Sequence, residues 1–189
     1  MSRIIRVREC RAILAELIKE HALRHGDFTL ASGQKSSYFI DGKMVTLRAD
    51  GSYYLARIIL SMLDEEVQVV AGIPIGADPI VGAVTALAGM DGRPLTGCLV
   101  RKEQKDHGTR KQVEGQVPQG ARVVILEDVV TTGGSSLIGV EALRKEKEAR
   151  ILGVITMVDR LQGAEANLAT HGVKLHSIFT IADLGVNVG

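Results

Sequence analysis

The chain has 189 residues, 23 Lys+Arg against 22 Asp+Glu, 46% hydrophobic and 24% charged residues. This balance suits a folded chain with a real core and excludes wholesale disorder, while a net charge of +1 argues against a general nucleic-acid or membrane-surface binder. Aromatics at 3% and no Trp exclude a stacking platform for single-stranded nucleic acid, so the core must be aliphatic.

The first expected element is an amphipathic helix, since Cys10, Ile13, Leu14, Leu17 and Ile18 follow one helical face. Arg3, Arg6, Arg8 and Arg11 faintly imitate a transit peptide, but Glu9 and Glu16 interrupt the run. His21 and His25 come without an HExxH pattern or a third ligand, so they read as helix-terminal histidines. Residues 26–42, rich in Ser and Gly, read as short strands and turns. A helix fits 52–63, where Leu55, Ile58, Ile59, Met62 and Leu63 share a stripe. A strand at 67–73 runs into the loop 74–77, after which Asp78 is expected to cap a helix with Pro79 at its first position. Further strands are expected at 95–100, 123–126, 151–158 and 173–181, with helices at 135–148 and 164–171, the last ended by Gly172.

Strands of near-continuous Val, Ile and Leu alternating with helices imply an α/β fold, a parallel sheet flanked by helices on both faces. Ligands of such sheets sit at the carboxyl ends of the strands, near a topological switch point. No run of eighteen apolar residues suggests a membrane span. Cys10 and Cys98 lack metal-ligand spacing and read as core thiols of a cytoplasmic protein.

The most informative segment is 123–135, VVILEDVVTTGGS. An apolar strand meets two carboxylates and then a Thr/Gly/Ser turn that opens a helix. Backbone amides there form a phosphate cradle, with hydroxyls of Thr131, Thr132 and Ser135 as added donors. Glu127 and Asp128 would repel a phosphate, so they suit sugar hydroxyls; the implied ligand is a sugar phosphate. Neither the Walker pattern nor G-x-G-x-x-G is present.

This segment resembles the phosphoribosyl pyrophosphate signature of the type I phosphoribosyltransferases. FTLASGQKSSYFIDG, RKEQKDHGTRKQVEG and MVDR, in order along the chain, narrow the resemblance to the orotate phosphoribosyltransferase branch. The resemblance implies the type I fold with a small N-terminal hood, about 1–45 plus C-terminal residues, and a core of about 46–170 within one domain. It implies phosphoribosyl transfer from phosphoribosyl pyrophosphate to orotate in pyrimidine synthesis. Phosphoribosyl pyrophosphate would contact Arg101, Lys102, Lys105, His107, Glu127, Asp128, Val129, Val130, Thr131, Thr132, Gly133, Gly134 and Ser135. Lys105 and His107 would be catalytic, Thr131 and Arg160 would hold orotate, and Phe39 and Ile40 would belong to the hood. Mg2+ would be held through substrate and water rather than by direct protein ligands, and a homodimer would share the loop 101–116 across subunits.

The connection 101–120 supports this independently. A twenty-residue, cation-rich segment between buried strands, with only Val113 and Val117 clearly aliphatic, is a candidate lid or anion clamp. Two departures from one version of the family stand out: Ala31 and Gly76 occupy places where that version has lysine, and backbone amides or Lys35 and Lys43 could substitute. Without the resemblance, Asp159-Arg160 would read as a helix cap with a surface ion pair, and the run 144–148 as a solvated helix end.

Overall fold

The computed structural model describes residues 6–29, 35–103 and 111–187. Helix α1 (Val7–Leu17) buries Cys10 and Leu14 and ends in a π-helical turn, Ile18–Ala22. The hairpin β1 (Leu23–Thr29) and β2 (Lys35–Ile40) follows, then a short helix α2 (Lys43–Thr46) and α3 (Ala49–Met62). The rest alternates: β3 (Val69–Gly72), α4 (Asp78–Met90), β4 (Thr96–Val100), β5 (Val113–Glu114), β6 (Arg122–Val130), α5 (Gly134–Lys147), β7 (Arg150–Asp159), α6 (Ala164–Ala169) and β8 (Leu175–Thr180).

Among the described residues the main sheet has six strands in the order β5-β4-β3-β6-β7-β8, parallel except for β5. Strand alternation explains the unbroken apolar runs. Val124 and Leu126 face the cluster built with α1, α3 and α4, while Val123 and Ile125 face the cluster that includes Val140, Leu143 and Leu168. Sequence order reverses between β3 and β6: from β3 the chain passes outward to β4, then returns to the other side as β6. That is the switch point where a crevice opens.

Several expectations need correction. The third long strand does not stop at Leu126 but continues to Val130, because pairing with β7 extends to Val130 opposite Asp159. Asp78 does not cap α4; Ala77 holds the N-cap position, its carbonyl accepting from the Val81 amide at 3.0 Å. Asp78 is then inside the helix, with one carboxylate oxygen buried and unpartnered among the described residues. His25 is in β1 rather than at a helix end. Strand β5 was too short, at two residues, for periodicity to reveal it. Among the described residues, no helix is long and apolar enough to cross a membrane.

Candidate active site

A cleft of about 330 Å3 opens between the carboxyl ends of β3 and β6. One wall is the loop Ile73–Gly76; the floor and other wall run from Glu127 to Ser136; Lys43 and Lys102 stand at its sides. The turn is built by local rules. Gly133 caps α5 at φ +79, a left-handed conformation that disfavours a side chain, and a Cβ there would press on Leu168. Gly134, by contrast, leaves room for a ligand: among the described residues, a Cβ there would meet nothing closer than Thr132 Oγ1 at 3.7 Å. Asn167 of α6 braces the turn from behind, donating to the Thr132 carbonyl at 2.7 Å.

The two carboxylates project to opposite faces of β6. Glu127, 7% exposed, accepts a hydrogen bond from the buried Ser136 hydroxyl of α5 at 2.9 Å. Burial pushes its carboxyl up to about 7, with the Ser136 hydrogen bond opposing the shift. Asp128 turns the other way, against Gly42 and Gly76. Burial raises its pKa too, opposed by hydrogen bonding to the Val129 backbone and by the nearby Lys43 charge. Lys43 is held at 2.6 Å by Asp41, and that hydrogen bond raises the lysine's own pKa.

Gly76 has a physical reason for lacking a lysine here. A Cβ at position 76 would overlap the Asp128 carboxylate, and one at Gly42 would meet the same side chain at 2.8 Å. The two glycines and Asp128 form one close-packed unit, and Lys43 supplies the cation beside it.

The structure gathers Lys102, Glu127, Asp128, Val129, Val130, Thr131, Thr132, Gly133, Gly134 and Ser135 around this cleft. Arg101 lies on its flank, paired with Glu114 at 2.9 Å. Lys105, His107 and Ala31 fall outside the described residues. Arg160 is brought in from β7: its amide donates to the Val130 carbonyl at 3.0 Å, beside the cleft floor. It is no surface pair, since Asp159 and Arg160 are both buried, and Asp159 instead accepts from the Leu161 amide at 2.8 Å. Phe39 and Ile40 face opposite ways, Ile40 into the core and Phe39 toward Phe28 with ring centroids 5.7 Å apart. Sequence reasoning missed Ser136 and Tyr38 as supports of Glu127 and Arg160. For Tyr38 the signal was available: period-two alternation puts it on the inward face with Ile40.

A switch-point cleft with a carboxylate pair running into a glycine-hydroxyl turn, on this strand order, defines the type I phosphoribosyltransferase class of α/β proteins. The comparisons agree. A family model described as phosphoribosyl transferase domain matches residues 48–185. An orotate phosphoribosyltransferase of Synechocystis is 43% identical over 177 residues, 93% of this chain and 89% of that one. One of Nostoc is 46% identical over 175 residues, 92% and 84% of the two chains. The crystal structure of a Mycobacterium tuberculosis orotate phosphoribosyltransferase in complex with 5-phospho-α-D-ribosyl 1-diphosphate aligns with a TM-score of 0.76 at 33% identity, covering 94% of this chain and 99% of that one. The chain belongs to the phosphoribosyl transferase domain family and, within it, to the orotate phosphoribosyltransferases.

Proposed function

We propose that the chain transfers 5-phosphoribose from phosphoribosyl pyrophosphate to N1 of orotate, giving orotidine 5′-phosphate and pyrophosphate for pyrimidine nucleotide synthesis. The observation that carries this reading is the cleft between β3 and β6, with carboxylates on its floor and a helix-opening turn beside them. The Thr131–Ser135 turn takes the 5′-phosphate on backbone amides and hydroxyls. Glu127 and Asp128 accept hydrogen bonds from the ribose hydroxyls, and the Val129–Val130 backbone lines the floor. The loop Ile73–Gly76 and Lys102 face the pyrophosphate, joined by Arg101, Lys105 and His107 as the connection closes.

Departure of pyrophosphate ahead of attack leaves positive charge on the ribosyl carbon and negative charge on the leaving group. Lys105 and His107 act on the latter, as preorganised donors stabilise charge where it develops. Closure keeps water from the ribosyl cation. Arg160 and Thr131 orient orotate, which needs positioning more than acid–base help.

The cleft's side-chain acceptors, Glu127, Asp128 and the Thr and Ser hydroxyls, are all oxygen, a hard donor set that suits Mg2+ held through substrate oxygens and water. When bound, the ion neutralises charge on the pyrophosphate.

The assembly we infer is a homodimer in which the loop 101–116 reaches the neighbouring site. Supporting it, Ile75 and Leu47 are 73% and 71% exposed, and Met44 is also exposed beside cleft residue Lys43. The N-terminal hood and the core act as one domain in this reading. Supporting that, Cys10, Leu14 and Ile18 of the N-terminal segment share one buried cluster with Leu55, Ile58 and Ile59 of α3.

Incubation with orotate, phosphoribosyl pyrophosphate and Mg2+ should deplete orotate absorbance and yield pyrophosphate. Uracil, adenine and hypoxanthine should stay unconsumed, and turnover of one of them in place of orotate would overturn the reading.

A further inference from the structure

Arg160 is 7% exposed, yet among the described residues it has no carboxylate partner. Its Nε donates to the Tyr38 hydroxyl at 3.0 Å, and its guanidinium carbon lies 4.7 Å from the centroid of the Tyr38 ring. One terminal nitrogen, Nη2, is buried with no hydrogen-bond partner among the described residues. A buried donor left unmade costs free energy, so an arginine held this way is poised for an acceptor that arrives from outside. Directly after it the chain turns sharply, with Leu161 at φ +57 and its amide on Asp159. The backbone of Arg160 is thus anchored on one side and its side chain on the other.

Tyr38 is itself buried, 7% exposed, and it comes from a different element, strand β2 of the N-terminal hairpin. We infer that Tyr38 is the positioning residue for Arg160: ring and hydroxyl together hold the guanidinium so that its free edge meets the carboxylate of the pyrimidine. The hydroxyl takes the Nε donor that could otherwise swing toward solvent, and the ring supports the guanidinium from one face. What remains is a pair of terminal nitrogens suited to a planar carboxylate. The hairpin would then set selectivity for a carboxylated base without touching that base through Tyr38. The inference rests on the proposed pairing of Arg160 with orotate.

Calorimetric affinity for orotidine 5′-phosphate and for uridine 5′-phosphate tests it, because the two nucleotides differ only in the carboxylate. Tyr38→Phe keeps the ring and removes the hydroxyl. It should weaken orotidine 5′-phosphate by about tenfold, the scale of one hydrogen bond to a charged group, and leave uridine 5′-phosphate unchanged. In steady state it should raise KM for orotate and not for phosphoribosyl pyrophosphate. Arg160→Ala should remove the preference between the nucleotides, and adding Tyr38→Phe to it should have no further effect. Equal weakening of both nucleotides by Tyr38→Phe, no weakening, or additivity in the double variant would each overturn the inference. An Arg160→Ala protein that keeps its preference would instead overturn the orotate pairing beneath it.

Discussion

Glu127 stands on the face of β6 turned to α5, and its raised pKa reflects removal from water. Because its folded pKa, about 7, lies above the ordinary 4.5, the folded protein binds this proton more tightly than the unfolded chain. Its contribution to stability is therefore fully present below pH 4.5 and is lost as pH rises toward 7. Glu127→Gln, neutral at every pH, should gain at most about 3 kcal/mol of stability at pH 8, read as a higher Tm, and change Tm little at pH 4.5, while lowering turnover. Thermal denaturation of the two proteins across that range checks the sign. Ser136→Ala removes the hydrogen bond that holds this pKa down. The acid limb of kcat/KM for phosphoribosyl pyrophosphate should then move to higher pH, read from a pH–rate profile. Gly76 is constrained by Asp128 in the same cleft. Gly76→Lys should not restore the cation found there in other versions; it should displace Asp128 and lower kcat/KM for phosphoribosyl pyrophosphate by tenfold or more, about the 1–3 kcal/mol of an overpacked site.

At the scale of elements, the cationic connection leaves the sheet through a stem rather than a loose loop. The Arg101 amide donates to the Gln112 carbonyl at 3.0 Å, and the Gln112 side chain returns to the Arg101 carbonyl at 3.0 Å. Glu146 of α5 accepts the amides of Gln112 at 2.8 Å and Val113 at 3.3 Å. The 144–148 run is therefore not just a solvated helix end; one of its charges clamps the stem to α5. Glu146→Ala should speed hydrogen exchange at Gln112 and Val113 and destabilise by about 1–3 kcal/mol, the cost of two amides losing their acceptor. Exchange measured by mass spectrometry on that peptide would show it. Helix and strand positions in the core were readable because burial on a helix or on both faces of a sheet demands a regular apolar pattern. The two-residue β5 and the last four residues of β6 were not, since charged or short segments become strand only when a neighbour pairs with them.

For the molecule as a whole, the strand order does the decisive work. The return of the chain from β4 to β6 opens one crevice and brings Ile73–Gly76, Lys102 and the 127–136 turn to the same place from three different connections. If the loop 101–116 completes the neighbour's cleft, two inactive variants should rescue each other. Mixing Lys105→Ala with Asp128→Asn subunits should restore about a quarter of the wild-type activity, because each hybrid dimer holds one intact site. Activity after denaturing and co-refolding the two proteins checks this; no recovery would place each loop on its own subunit's site.

The α/β alternation, the Thr/Gly/Ser turn and the cationic connection were present in the residues themselves, because each depends on neighbours along the chain: apolar periodicity, glycines at a strand-to-helix turn, and charge crowded between two strands. The opposite facing of Glu127 and Asp128, the collision that keeps Gly76 a glycine, and the seat of Arg160 on Tyr38 were decided only in three dimensions. Those contacts join residues from separate elements, and it is burial that sets their charges and their company.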